Sequence, residues 1–143
     1  MLRFQLNTTE NFMHTAYTAG LVDGEGTISL TKCHSTEKFR HPIVSMTNTT
    51  FELIDFMHKT YGGTVRKVKI KKANWKQAWV WSCHRTAAIA CLEQITPFLL
   101  EPKKKRRAEM ILGYYRKLTL RNGRYTPEQE EQKLSFEEDF FLL

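Results

Sequence analysis

A helix end built from small residues constrains this chain more than any other feature. The segment Thr18-Ala-Gly-Leu-Val-Asp-Gly-Glu-Gly26 carries Gly20 and Gly24 four positions apart. On a helix, that spacing puts both on one face. The face has almost no side chain, so a second helix can approach it nearly backbone to backbone. Asp23 and Glu25 fall where the helix should end, and Gly24 and Gly26 permit a left-handed stop. Thr27-Ile-Ser-Leu-Thr31 then alternates polar and apolar, the period of a half-buried strand. A carboxylate is therefore expected at the foot of a close-packing helix, at the edge of a sheet.

The rest of the chain extends this pattern. A first helix is predicted over 10–23, capped by Asn7, Thr8 or Thr9, with Phe12, Ala16, Ala19, Gly20 and Val22 along its packed side. Strands are predicted over 26–33 and 42–48, joined by a polar, basic loop, with Pro42 at a strand end where its missing amide is tolerated. Thr49 or Thr50 caps a second helix that Gly62-Gly63 terminates. Strands over 64–71 and 76–83 follow, then a helix over 86–92 or to 95, interrupted at Thr96-Pro97. Pro102 suits the first turn of a helix over 103–120, and Thr126-Pro127-Glu128 starts a last one that runs towards Phe140. The order α-β-β-α-β-β-α implies an α+β fold: a four-stranded antiparallel sheet made of two hairpins, with helices on one face. At 143 residues this is read as a single domain, with a core over about 10–120 and a helical extension over about 121–143.

Charge narrows the function. Residues 126–143 hold six acids and one base, a net of −5, so with +7 overall the preceding 125 residues carry +12. An excess of that size fits a polyanion, and nucleic acid is the usual one. No apolar run approaches a membrane span and no secretory signal is visible, so an intracellular location is expected: cytoplasm, nucleoid or organelle matrix. Three cysteines with no C-x-x-C fit reduced thiols. Cys33-His34 and Cys83-His84 form two Cys-His pairs on adjacent hairpins, a spacing of neither a zinc finger nor a ribbon. No nucleotide-binding loop or serine-hydrolase motif occurs, and no small-molecule substrate is indicated.

The glycine motif resembles the signature of the LAGLIDADG homing endonucleases, with Thr18 for the usual Leu, Val22 for Ile, Gly24 for the common Ala and Glu25 for Asp. The resemblance continues in order through Val44-Ser-Met-Thr-Asn-Thr49, Glu52-Leu-Ile54, Tyr61-Gly-Gly63, Thr96-Pro-Phe-Leu99 and the Lys/Arg run into Ala108-Glu109. It implies that Glu25 binds the catalytic metal, Mg²⁺ with Mn²⁺ or Ca²⁺ able to replace it, and that the Gly24 carbonyl is a second ligand. It further implies that Asn48 orders a water, and that Lys104 (Lys103 if the register slips by one) tunes the scissile phosphate. Asp23 is assigned to support of the helix interface. A single motif supplies one such set, and cutting both strands needs two. A homodimer packed through Ala19, Gly20, Asp23 and Gly24 is expected, acting on a long pseudo-palindromic site in double-stranded DNA and leaving short 3′ overhangs. The alternative on the same scaffold is a non-cleaving binder, an RNA maturase or a transcription regulator.

DNA reading falls to the sheet, since two-stranded ribbons fit the major groove. Alternation places Ser29, Thr31 and Cys33 on one face of the first strand and Ser45 and Thr47 on that of the second. Arg66, Lys69, Lys76 and Gln77 are expected to extend that face, and Lys32, Lys38, Arg40, Lys71, Lys72 and Lys103 to reach phosphates or outer bases. Trp79 and Trp81 share the opposite face and are read as core.

Overall fold

A computed structural model describes residues 8–143; Asn7, one candidate cap of the first helix, lies outside them. The elements are α1 (Thr8–Glu25), β1 (Gly26–Thr31), β2 (His41–Asn48), α2 (Phe51–Tyr61), β3 (Thr64–Lys67), β4 (Trp79–His84) and α3 (Arg85–Ile95). A 3₁₀ turn (Thr96–Phe98), α4 (Pro102–Met110), a π-helical turn (Ile111–Tyr115), α5 (Arg116–Leu118) and α6 (Pro127–Phe141) complete the chain. The sheet is antiparallel throughout, in the order β1-β2-β4-β3. The fold is α+β as expected.

Strand parity builds the core. Ile28 and Leu30 of β1, Val44 and Met46 of β2, and Trp81 and Cys83 of β4 all point to one face and are buried. Against them lie Ala19 and Val22 of α1, Ile54 and Met57 of α2, and Ala88, Ile89, Cys91, Leu92 and Ile95 of α3. Trp81 fills the centre and donates its indole N–H to the Gly62 carbonyl at 2.8 Å. Trp79, on the same face, packs against Phe51. Pro42 pairs with Leu30, while β4 reaches only to Ile43, so the missing amide removes no bond to β4.

Several boundaries move. The first helix does not stop left-handed: Gly24 and Gly26 have no positive φ, and α1 runs to Glu25 before the chain turns directly into β1. Gly26 is needed for packing instead, because a Cβ there would sit 2.8 Å from the Val22 Cα. β3 ends at Lys67 and β4 begins at Trp79, so Lys69, Lys71, Lys72, Lys76 and Gln77 stand on the connection rather than on strands. The helix read over 103–120 is interrupted by a π turn that contains Gly113.

The C-terminal helix belongs to this fold. Thr126 and Gln129 form a reciprocal capping box. Phe136 and Phe140 are buried in the core. Lys133, only 3% exposed, donates to the Thr119 and Tyr125 hydroxyls at 2.8 and 3.1 Å and lies over the Phe39, Tyr115 and Tyr125 rings. No described helix is long and apolar enough to cross a membrane.

Gly62 and Gly63 end α2 with φ of 72° and 82°. A Cβ on Gly63 would be driven into the Ser82 carbonyl oxygen. Gly63→Ala should therefore cost about 3 kcal/mol, combining left-handed strain with a backbone clash. Gly20→Ala, where nothing lies within 4 Å, should cost nothing in the protomer. Urea denaturation of both variants measures the difference.

Candidate active site and nucleic-acid face

The foot of α1 is tied to the start of α4 from both sides. The Asp23 carboxylate accepts the Leu100 and Glu101 backbone N–H groups at 2.9 and 3.1 Å. In return the Lys104 ammonium donates to the Val22 and Asp23 carbonyls at 3.0 and 2.7 Å, satisfying oxygens that the end of a helix leaves without partners. The N-terminus of α4 is capped by Glu101, whose carboxylate takes the Lys103 and Lys104 N–H groups at 3.3 and 2.6 Å. A basic run at the positive end of a helix is thus offset by a local acid.

Glu25 stands in contrast to Asp23. It is exposed, and among the described residues no hydrogen bond or ion pair engages its carboxylate. Beside it, β2 runs past the end of β1: Gly26 pairs with Met46, leaving Thr47 and Asn48 to continue where α1 gives way to the sheet. Asn48 turns its Oδ1 to the Thr50 N–H at 2.8 Å, so its oxygen fixes the strand-to-helix corner and its amide NH₂ is directed elsewhere.

The outer face of the sheet carries the polar halves of the strands. Register aligns Thr27, Ser45, Ser82 and Thr64 in one row across all four strands. Thr64 and Ser82 hydroxyls lie 3.3 Å apart. Ser29, Thr31, Thr47 and Arg66 flank that row by strand parity. At the far end, the Cys33 thiol lies 3.6 Å from His41 Nε2, which lies 2.9 Å from His84 Nδ1. Burial, and then the Arg85 charge, hold both imidazoles below the usual histidine range. Glu37 is lowered because it accepts the Cys33 N–H.

No family model matches the sequence, and no curated protein sequence matches it. Solved structures do match. The homing endonuclease I-CvuI, in complex with its target in the presence of calcium, superposes with a TM-score of 0.72 at 22% identity, covering 94% of this chain and 84% of that one. I-GzeII, a LAGLIDADG homing endonuclease in complex with a DNA target, gives 0.62 at 12% identity over 88% of this chain and 43% of that one. I-CeuI bound to DNA gives 0.56 at 16%, over 90% and 66%. The fold is that of the LAGLIDADG homing endonucleases.

Within that fold, Gly24 and Glu25 end α1, Lys104 reaches the Val22 and Asp23 carbonyls just before them, and Asn48 closes β2 two residues past the Met46 that pairs with Gly26. The structure redirects several other residues. Ala19, expected at the helix interface, is fully buried in its own core. Asp23 spends its carboxylate inside its own chain. Lys38 pairs with Glu130 of α6 at 2.7 Å. Arg40 donates its backbone N–H to Glu137 and lies over the Phe141 ring, so Lys38 and Arg40, two of the three Lys/Arg residues of the loop before β2, engage α6. Gln77 donates to the Val68 and Ala78 carbonyls and shapes its loop. Lys32, Lys69, Lys71, Lys72, Lys76 and Lys103 are exposed. The paired Cys-His dipeptides divide between the two faces of the sheet: Cys83 is buried in the core, while His84 joins exposed Cys33 and buried His41 on the other face. Thr27, Ser82, Thr64 and His41 are missing from the site residues read in the sequence, and His84 entered only as half of a Cys-His pair. The same alternation that put Trp79 and Trp81 inside also puts Ser82 and His84 outside.

Asp23→Ala should cost about 2–3 kcal/mol, because two N–H donors lose a charged acceptor. Asp23→Asn should restore part of that loss. Chemical denaturation of the two variants checks it.

Proposed function

We propose that this protein is a site-specific DNA endonuclease that cuts both strands, needs a divalent metal and works as a homodimer. The Glu25 carboxylate carries the reading. It is exposed and, among the described residues, unengaged, at the lip of a hydroxyl-lined sheet, two residues from a carbonyl held by Lys104. A carboxylate left open beside one already fully used is what a metal ligand requires. Glu25 and the Gly24 carbonyl would hold Mg²⁺, and Mn²⁺ or Ca²⁺ suit the same hard oxygen donors. A cation bound there supplies charge stabilisation at a phosphoryl oxygen and makes a bound water more acidic. Asn48 keeps its amide N–H groups for orienting water, its oxygen being fixed on Thr50. Lys104 uses two of its three ammonium protons on carbonyls, so one is left for a phosphate oxygen or a water. Of the structural neighbours, I-CvuI is described in complex with DNA targets in the presence of calcium and, with the DNA not cleaved, of magnesium.

The dimer is supported by what α1 leaves uncovered. Met13, Tyr17, Gly20 and Gly24 follow one helix stripe. Met13 and Tyr17 are 63% and 50% exposed, and neither glycine has any atom within 4 Å of where a Cβ would stand. A glycine inside a helix costs about 1 kcal/mol against alanine. Two of them serve no purpose in the protomer, whereas a two-fold pairing of α1 helices uses both and brings two Glu25 sites together. Of the four expected interface residues, only Gly20 and Gly24 present this uncovered face.

A cleavage-site selection from a random DNA library with Mg²⁺ supplies the substrate. On it, Glu25→Gln should lose cutting by about 1,000-fold, the few kcal/mol expected of a metal site, while binding within a few-fold of the parent. Equal cutting by both proteins removes Glu25 from the reaction. Binding without cutting by the parent makes the chain a maturase-like binder. For the dimer, Gly20→Leu should sediment as a folded monomer; an unchanged dimer places the interface elsewhere.

A further inference from the structure

The structure assigns a second metal site, for a borderline-soft transition ion such as Zn²⁺, to Cys33, His41 and His84 on the outer face of the sheet. This stands on geometry that the endonuclease reading does not use. Cys33 lies two residues past β1, His41 opens β2 and His84 closes β4. Strand parity points His41 and His84 to the outer face, and Cys33, beyond the end of β1, brings its thiol to His41 there. Their ligand atoms already lie within 4.8 Å of one another. Tetrahedral zinc, with bonds of about 2.3 Å to sulfur and about 2.0 Å to nitrogen, requires S–N and N–N separations of about 3.6 and about 3.3 Å. The structure has 3.6 Å from Cys33 Sγ to His41 Nε2 and 2.9 Å from His41 Nε2 to His84 Nδ1. Only a small opening of the imidazole pair is needed. A hydrogen-bonded pair of histidines alone would have no use for a thiol at that distance.

The surroundings fit a ligand set. Glu37 accepts the Cys33 N–H at 2.9 Å and stands 3.9 Å from His41 Nδ1, on the side away from the ligating nitrogen. A closure of about 1 Å would make this the carboxylate–histidine hydrogen bond that orients an imidazole on a metal. Arg85 grips the other Glu37 oxygen at 3.3 Å, and its own backbone has φ of 53°, the one positive value outside glycine among the described residues. The strained residue directly follows the ligand His84, where local strain helps hold a side chain in place. Binding releases one proton, from the Cys33 thiol. The proton shared between His41 Nε2 and His84 Nδ1 shifts to the other nitrogen of the ring that carries it, so both rings stay neutral and ligate through bare nitrogens, His41 with its proton on the Nδ1 that faces Glu37. A thiolate, two neutral imidazoles and a divalent ion add one positive charge to the face. The ion also joins both ends of the 32–40 loop to β4. Sulfur and nitrogen donors do not suit Mg²⁺, so this site and the oxygen site at Glu25 select different ions.

The test uses the full, reduced chain stripped of metal and titrated with Co²⁺, without DNA. One Co²⁺ per chain should bind, with a thiolate-to-cobalt charge-transfer band in the near ultraviolet and the intense visible bands of a tetrahedral ion. Zn²⁺ should erase both. Cys33→Ser, at an exposed position, should abolish the charge-transfer band and weaken Co²⁺ binding by at least about 100-fold; His84→Gln should also weaken it. A pale octahedral spectrum, or a charge-transfer band that survives Cys33→Ser, overturns the assignment. Neither result depends on whether the chain cuts DNA.

Discussion

The joint between Asp23 and Lys104 holds the candidate active site in place. Each end of the clamp solves a problem of the other element. The carboxylate takes two amides of the segment before α4, and the ammonium takes two carbonyls at the end of α1. These bonds are charge-assisted, and three of the four are partly buried, so they are stronger than ordinary surface contacts. They fix where α1 ends relative to β1, and therefore where Glu25 emerges. Gly26 adds a second constraint, since the strand leaves so close to Val22 that a methyl group has no room. The position of the open carboxylate is a consequence of this packing and needs no partner of its own.

Parity in the sheet does the remaining organisation. The same alternation that seals Ile28, Val44, Met46 and Trp81 under the helices sets out a row of hydroxyls on the reverse. Such a row both donates and accepts, which suits contact with base edges and phosphates alike. The bases lie at its margins, on loops, while α6 carries its acids to the flank and there occupies Lys38 and Arg40. The uneven charge of the sequence thus becomes a spatial division. Glu130 and Glu137, two of the six C-terminal acids, pair with Lys38 and Arg40, and the lysines of the β3–β4 connection stand exposed.

Where residues answer to local rules, the sequence was readable. Gly62-Gly63 marks a helix end because only glycine tolerates the backbone there, and Thr126 marks a helix start because its hydroxyl and Gln129 complete one another. Alternating patterns in β1 and β2 gave the sheet faces. What stayed hidden depends on contacts far apart in the chain. Arg40 reads as a basic loop residue until Glu137, 97 positions later, takes its amide. Ala19 reads as part of a small-residue face, and only the angle at which α1 meets the sheet turns it inward while Gly20 turns outward. The strand ends at Lys67 and Trp79 were missed because Gln77 closes the connection through its side chain, which leaves no turn signature.

The Cys33–His41–His84 cluster shows why local spelling misleads at such sites. Read as dipeptides, Cys33-His34 and Cys83-His84 look like two equivalent pairs. In a strand, however, neighbours face opposite ways. Cys83 must go inward if Trp81 does, and it ends beside Cys91 in the core. His84 must then go outward. His41 has the outward parity of Ser45 and Thr47, and β2 lies between β1 and β4. Two antiparallel pairings therefore bring three separated residues to one point, with no repeat or spacing to announce it. The chemistry of that point follows from donor type alone: a thiol and two imidazoles share no preferred ion with a carboxylate and a carbonyl. A soft and a hard donor set on one chain would therefore rank metal ions differently.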